Sequence, residues 1–195
     1  DMNIGKPGPK EVLIKNKSIG LNYIDIYHRT GLYPIPLPSG IGLEASGIIE
    51  EIGSEVKLFK VGDRVTHASM PIGAYSEKQI MPEEKLISVP DGISDEVASC
   101  ITLKGITAEY LLHRAYPLKK GDKVLYHAAA GALGQILCPW ANSLGAEIIG
   151  TVGSKAKEEI AKKNGCHHVI NYSEKNFSEE VEKIVGKNGI DVVYD

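Results

Sequence analysis

The stretch GDKVLYHAAAGALGQILCPWANSLGAEIIGTVG, residues 121–153, decides the fold of this chain. It contains two short apolar runs, KVLYHA and EIIGTVG, that are typical of buried strands. Between them, apolar residues recur at helical spacing as far as Gly145, which is a common helix stop. These apolar residues are Leu133, Ile136, Leu137, Trp140, Ala141 and Leu144. The stretch therefore predicts a strand, a helix and a second strand.

The turn before this helix nearly matches the G-x-G-x-x-G pattern of dinucleotide-binding folds. Ala129, Gly131 and Gly134 occupy its three slots. A phosphate at a helix N-terminus meets unpaired N–H groups and the positive end of the helix dipole, so nearby side chains must be small. The N–H groups of Ala132 and Leu133 would face the phosphates. The alternative is a small-residue turn that serves packing alone, but the strand–turn–helix–strand context favours the nucleotide site.

The residues that follow the second strand indicate which nucleotide binds. NAD sites usually place an acidic residue there to bond the ribose hydroxyls. This chain has Gly153, Ser154, Lys155 and Lys157, and its first acid is Glu158. A hydroxyl and ammonium groups would hold a 2′-phosphate, which a carboxylate would repel. The sequence therefore predicts NADP(H) rather than NAD, unless both lysines belong only to a solvated helix face.

The rest of the second half continues the alternation of predicted strands and helices. SKAKEEIAKKNG predicts a helix, with Ser154 as its N-cap and Gly165 as its stop. HVINY predicts a third strand, residues 178–180 open another helix, and IDVVYD predicts a fourth strand. Alternating strands and helices indicate an α/β fold with a parallel sheet. A complete dinucleotide fold has two such halves, so we expect the chain to be incomplete.

Residues 1–117 have a different character, since glycine and proline interrupt them often. Strand-like runs separated by turns predict a β-rich domain. These runs are EVLIKNKSIG, ASGIIEEIG, GDRVTHA and KLISVP. Two helices are expected to close this domain, one beginning near Ser94 and one over residues 106–116. The predicted domains are therefore residues 1–117 and residues 118–195.

Composition excludes several classes of function. The net charge is −3 and no block of lysine or arginine occurs, so nucleic acid and anionic membranes are not expected as partners. No apolar run approaches the roughly 20 residues of a membrane span. Cys100, Cys138 and Cys166 are odd in number and far apart in sequence. This pattern suits reduced thiols, and we expect a cytoplasmic protein.

Three segments together resemble the zeta-crystallin-like quinone oxidoreductases of the medium-chain dehydrogenase/reductase superfamily. They are KGDKVLYHAAAGALGQ, LKGITAEYLL and GLNYIDIYHRTGLYP, and the resemblance covers essentially the whole chain. It implies a GroES-like catalytic domain over residues 1–117, lacking its first strands, with an active site in the cleft beside the second domain. Residues 118–195 would be the first half of a Rossmann domain, which is a doubly wound parallel sheet. It also implies a homodimer or homotetramer that reduces quinones with NADPH.

The same resemblance argues against a metal ion. The zinc-dependent alcohol dehydrogenases of the superfamily bind catalytic zinc through two cysteines and a histidine. In this chain those slots hold Asn22, Leu43 and Lys104, none of which suits the tetrahedral nitrogen and sulfur set of zinc. The four-cysteine loop that binds structural zinc is also missing. We therefore expect no metal.

Positions carried over from the family form two groups. The nicotinamide and substrate group comprises Asn22, Tyr23, Asp25, Tyr27, Tyr33, Lys104 and Thr107. The group for the rest of the cofactor comprises Gly131, Ala132, Leu133, Gly153, Ser154, Lys157 and Tyr172. Structural alternatives remain open for several of them: Tyr23 and Tyr27 as core aromatics, Asp25 and Thr107 as caps, and Tyr172 as a packing residue.

The mechanism implied by the resemblance is direct hydride transfer from NADPH to a quinone or enone. Without zinc, hydroxyls, amides, Lys104 or solvent would meet the developing oxyanion. Tyr27, Tyr33 or water would supply the proton. One rival function is reduction of enone or alkenal double bonds, and another is a structural or RNA-binding role for an NADPH-binding protein. Pro139, within the first predicted helix of the second half, has no functional explanation.

Overall fold

The computed structural model describes residues 4–195 and divides into two compact units. The first unit ends at Leu103 and the second begins at Lys104. The domain boundary between residues 117 and 118 stays a prediction. No helix in the described part of the chain is both long and apolar enough to cross a membrane.

The first unit is built on a five-stranded antiparallel sheet with the strand order β4-β1-β2-β3-β5. Its strands are β1 (Glu11–Gly20), β2 (Glu44–Ile52), β3 (Arg64–Ala68), β4 (Lys78–Pro82) and β5 (Ile87–Ser88). The four predicted strands are confirmed, whereas β4 was not predicted. In β4 only Gln79 and Met81 are buried, so its short sequence KQIMP carries little apolar signal. The core of this sheet comprises Val12, Ile14, Ile49, Val65, Met81 and Leu86.

A short helix, α1 (Tyr23–Thr30), follows β1 and was also not predicted. Asn22 has the extended conformation of an N-cap, and its N–H donates to Asp25 Oδ2 at 3.0 Å. Gly31 ends the helix in the left-handed conformation, with φ of 77°, which glycine adopts at little cost. The sequence YIDIYH is rich in tyrosine and isoleucine, which favour strands, and the caps override that preference.

The two helices predicted near Ser94 and over residues 106–116 are one continuous helix, which corrects the prediction. Helix α2 (Asp95–Glu109) passes directly into a π-helical segment, Tyr110–Ala115. Gly105 lies inside the helix, where a glycine costs about 1 kcal/mol relative to alanine without ending the helix. Thr107 therefore does not begin a helix, and its alternative role as an N-cap is wrong.

The second unit is a four-stranded parallel sheet with the order β8-β7-β6-β9. Its elements are β6 (Lys123–Tyr126), α3 (Gly134–Ser143), β7 (Glu147–Val152), α4 (Lys155–Lys163), β8 (His168–Asn171), α5 (Phe177–Val185) and β9 (Val192–Tyr194). One apolar cluster includes residues of α3 and α4, and another joins the sheet to α5. Helices on both faces of a parallel sheet define a doubly wound α/β arrangement, as predicted.

Pro139 lies inside α3 on its exposed side, and the helix continues to Ser143. A proline there lacks the N–H that would bond four residues back. The exposed position keeps the ring out of the core, but nothing in the structure explains why a proline stands here.

Candidate functional site: a glycine turn and a tyrosine cluster

The glycine turn lies at the carboxyl end of β6. The residue of this turn with left-handed backbone is Ala128, with φ of 57°. Ala129, in the first slot of the G-x-G-x-x-G pattern, does not have a positive φ. Ala129 is fully buried, and a Cβ added at Gly150 would lie 2.6 Å from its methyl group. The methyl group thus packs directly on the bare backbone of β7. Alanine is tolerated in this slot because it needs no positive φ and has a glycine opposite it.

The two glycines of the turn have close backbone neighbours, and the contacts are tighter at Gly134. A Cβ at Gly134 would meet the carbonyl oxygen of Ala129 and lie 2.7 Å from the carbonyl carbon. A Cβ at Gly131 would lie 3.0 Å from Ala128 O. Gly131 and Ala132 are exposed at the N-terminus of α3, which has no side-chain cap. The turn therefore presents backbone N–H groups at the positive end of a helix dipole, an arrangement that binds anionic phosphate.

The end of β7 lies against Tyr172. A Cβ at Gly153 would be 2.5 Å from the Tyr172 hydroxyl, so this glycine lets the phenol ring approach the backbone. Tyr172 is 55% exposed, which is more than a residue that only packs would be. Ser154 occupies the N-cap position of α4, as predicted, but its side chain makes no capping hydrogen bond. Lys157 is exposed in the first turn of α4.

Glu158, the first acid after β7, is already hydrogen-bonded. Its Oε1 accepts a hydrogen bond from Asn171 Nδ2 at 3.1 Å, at the end of β8. Residues 153–157 contain no carboxylate. This corner of the second unit therefore offers a hydroxyl and ammonium groups, which suit a phosphate better than a ribose diol.

His127, which follows β6, has a structural role. Its Nδ1 lies 2.9 Å from Thr151 Oγ1, and its ring meets Phe177 edge-on at 5.2 Å. These contacts join the ends of β6 and β7 to α5. The histidine is therefore a packed, half-buried residue next to the turn in sequence.

The first unit carries a cluster of three tyrosines on and just after α1. The rings of Tyr23 and Tyr27 lie 5.2 Å apart, and those of Tyr27 and Tyr33 lie 5.1 Å apart. Tyr23 is 70% exposed and Tyr33 is 48% exposed, so neither is a core aromatic. An exposed aromatic cluster with three hydroxyls can contact a flat, conjugated ligand and donate hydrogen bonds to it.

Asn22 and Asp25, on the same segment as this cluster, are buried. Asp25 Oδ2 accepts hydrogen bonds from Asn22 N and from the hydroxyl of Tyr75, both at 3.0 Å. Burial, reinforced by this carboxylate, raises the pKa of Tyr75 to about 12. Asp25 thus has the capping role that was left open, and its place beside a nicotinamide stays a prediction.

Glu44, a fully buried carboxylate at the start of β2, was not predicted as a site residue. Its Oε2 accepts a hydrogen bond from Asn22 Nδ2 at 2.8 Å, and its Oε1 accepts one from Leu103 N at 2.7 Å. The only sequence signal for it was an acid at the beginning of an apolar strand. Lys104 and Thr107 are half-buried residues of α2.

A tetrahedral zinc ion does not fit the three slots that bind it in related enzymes. The amide of Asn22 donates to Glu44, Leu43 has no donor atom, and Lys104 carries an ammonium group. Among residues 4–195, no group of three or more His, Cys, Asp or Glu side chains is placed to hold a metal ion.

The chain thus combines an antiparallel unit with a doubly wound parallel unit, whose glycine turn opens helix α3. Residues 8–116 match the model of the alcohol dehydrogenase GroES-like domain, and residues 132–195 match that of the zinc-binding dehydrogenases. The chain belongs to the alcohol dehydrogenase GroES-like family, within the medium-chain dehydrogenase/reductase superfamily. The fold class predicted from the sequence is confirmed.

The chain is similar to three proteins in particular. It is 48% identical to a quinone oxidoreductase of Pseudomonas aeruginosa, covering 100% of this chain and 60% of that protein. It is also 48% identical to a 2-haloacrylate reductase of a Burkholderia species, with the same coverage. The crystal structure of Escherichia coli quinone oxidoreductase complexed with NADPH aligns with a TM-score of 0.97 at 45% identity, over 100% of this chain and 60% of that one. The chain thus spans about three fifths of the length of these relatives.

Proposed function

We propose that the protein carrying this chain reduces quinones with NADPH by direct hydride transfer and without a metal ion. The observation that carries this proposal is the backbone cradle at Gly131 and Gly134, in which an added Cβ would crowd the turn. The similarity to quinone oxidoreductases, one of them complexed with NADPH, supports it.

The second unit would hold the cofactor. The N–H groups of Ala132 and Leu133 bind the pyrophosphate at the start of α3. Ser154 and Lys157 bind the 2′-phosphate, and Gly153 and Tyr172 form the adenine end of the site. Bound NADPH supplies the hydride, while the protein aligns it and provides the electrostatic environment.

The first unit would hold the substrate. Tyr23, Tyr27 and Tyr33 contact the conjugated ring, and Asn22, buried at the start of α1, is a polar member of the pocket. Hydroxyl and amide groups of this unit meet the oxyanion that develops when the carbonyl accepts hydride. The tyrosine hydroxyls or water supply the proton.

A second candidate function is reduction of a conjugated double bond, which the similarity to 2-haloacrylate reductase favours. Assays with benzoquinones beside enones and haloacrylates separate the two candidates. From the family resemblance we also infer a homodimer or homotetramer, and from the three unpaired cysteines a cytoplasmic location.

The cofactor proposal is tested by the ratio of kcat/KM with NADPH to kcat/KM with NADH, in the protein at its full natural length. Loss of one phosphate contact in Lys157→Ala lowers kcat/KM for NADPH about tenfold and leaves that for NADH nearly unchanged. Lys163→Ala, an exposed lysine at the other end of α4, is the matched control. Equal use of both cofactors by the unmutated protein would refute the assignment of NADPH.

A further inference from the structure

The carboxylate of Glu44 has no exposed surface and lies next to the proposed substrate pocket. Burial of a carboxylate is costly unless hydrogen bonds compensate it. Here the Asn22 side chain and the Leu103 N–H donate to its two different oxygens, at 2.8 and 2.7 Å. These two donors lie on segments that are 81 residues apart in the chain. One charged group therefore joins the start of α1 to α2.

The fold provides space for this carboxylate. Gly20 pairs with Glu44 across β1 and β2, and a Cβ at Gly20 would lie 2.5 Å from Glu44 Oε2. The same Cβ would also collide with the carbonyl of Ser99 on α2. Any larger residue at position 20 would displace the carboxylate from Asn22.

We propose that Glu44 is a positioning residue that orients the Asn22 amide in the substrate pocket. This inference rests on the proposed function. A carboxylate only accepts hydrogen bonds, so it must face the NH₂ end of the amide. The carbonyl oxygen and the second N–H of Asn22 are thereby fixed in direction. Glu44 also fixes the backbone at Leu103, directly before Lys104.

A double-mutant cycle in the full natural protein tests this role. Glu44→Gln replaces an acceptor with a donor that faces the Asn22 N–H groups, and Asn22→Ala removes the amide itself. Each lowers kcat/KM for a benzoquinone about 10- to 100-fold, the effect of one buried hydrogen bond to a charge, and leaves the Kd for NADPH within about twofold. Glu44→Gln keeps one side-chain oxygen that can accept the Leu103 N–H, so its effect is exerted through Asn22. The double variant therefore falls within about threefold of Asn22→Ala alone.

Glu51→Gln, on the exposed end of the same strand, is the control and keeps full activity. The proposal is overturned if Glu44→Gln is as active as Glu51→Gln, or if the losses of the two single variants multiply in the double variant. An unmutated protein that reduces neither quinones nor enones would instead overturn the proposed function itself.

Asn22→Asp keeps Glu44 intact and covers the case in which Glu44→Gln does not fold. It places two carboxylates within hydrogen-bond distance, which share a proton only when the pH is low enough. The neighbouring titratable groups include His67 on β3, Asp25 on α1 and Tyr75, whose hydroxyl donates to Asp25, and they are the same in both proteins. The kcat/KM of Asn22→Asp therefore rises relative to that of the unmutated protein as the pH falls from 8 to 5. Parallel pH profiles would overturn the proposal.

Discussion

Replacing Gly134 with alanine separates the packing role of the glycine turn from its role in binding phosphate. The added Cβ would lie 2.7 Å from the carbonyl carbon of Ala129 and 3.0 Å from its Cα. These are backbone atoms, and Ala129 is fully buried against Gly150. Displacing them therefore carries a high energetic cost. Either α3 or the turn must shift.

Overpacking of this kind costs about 1–3 kcal/mol of stability. Gly131→Ala is the matched comparison, since its Cβ would lie 3.0 Å from Ala128 O and 3.9 Å from the Ala128 Cβ, at an exposed position. That substitution costs less than about 1 kcal/mol of stability. Its methyl group still crowds the N–H groups that would bind pyrophosphate. Both variants are therefore expected to lose affinity for NADPH, but only Gly134→Ala loses much stability.

Urea unfolding followed by circular dichroism measures the stability, and fluorescence titration measures the Kd for NADPH. Gly134→Ala should lower the unfolding midpoint and weaken binding at least tenfold, by about 1.4 kcal/mol. Gly131→Ala should weaken binding to a similar extent with a nearly unchanged midpoint. If Gly131→Ala binds NADPH as tightly as the unmutated protein, the turn does not hold the pyrophosphate.

Two further predictions concern buried side chains. Burial lowers the pKa of His67 to about 4, from about 6.5 in an unfolded chain. Between these two pH values the histidine is therefore protonated in the unfolded state and neutral in the folded state. The free energy of unfolding should therefore fall by about 2 kcal/mol more between pH 7 and pH 5 in the unmutated protein than in His67→Phe, and parallel urea titrations would contradict this. Cys100 is exposed whereas Cys138 and Cys166 are buried, so iodoacetamide should label Cys100 alone in the folded protein and all three in urea. Peptide mass mapping checks this, and labelling of Cys166 at the rate of Cys100 would refute it.

The parallel unit could be predicted almost completely from the sequence. Its strands are short apolar runs and its helices have a clear periodicity, with Gly145 and Gly165 as stops, both in the left-handed conformation in the structure. In such a unit each element is specified by its own residues. The local pattern of apolar residues and glycines is therefore sufficient to predict each strand and helix of this unit, in their order along the chain.

The first unit was harder to predict because its elements depend on distant partners. Helix α1 forms from residues that favour strands because Asn22 and Asp25 cap its N-terminus. The hydroxyl of Tyr75, 50 residues away from Asp25, donates a hydrogen bond to the same carboxylate. The fusion of two predicted helices into α2 likewise has no local signal beyond the absence of a proline between them. The spacing of apolar residues along the sequence gives no information on these long-range contacts.

The same limit applies to the candidate site. The glycine turn, Lys157 and the tyrosines are visible as motifs or as family positions. Glu44 is not, because its importance comes from two donors that arrive from elsewhere in the chain. A buried carboxylate is recognised only when its partners are known.

Trp140, the only tryptophan of the chain, gives the second unit an intrinsic optical probe. It lies in the second half of α3, with its ring centre 5.4 Å from that of the His113 imidazole. Tryptophan fluorescence therefore reports on thermal unfolding of the second unit alone, while circular dichroism reports on both units. A difference between the two melting curves would show directly whether the halves of the chain unfold as one body or in turn.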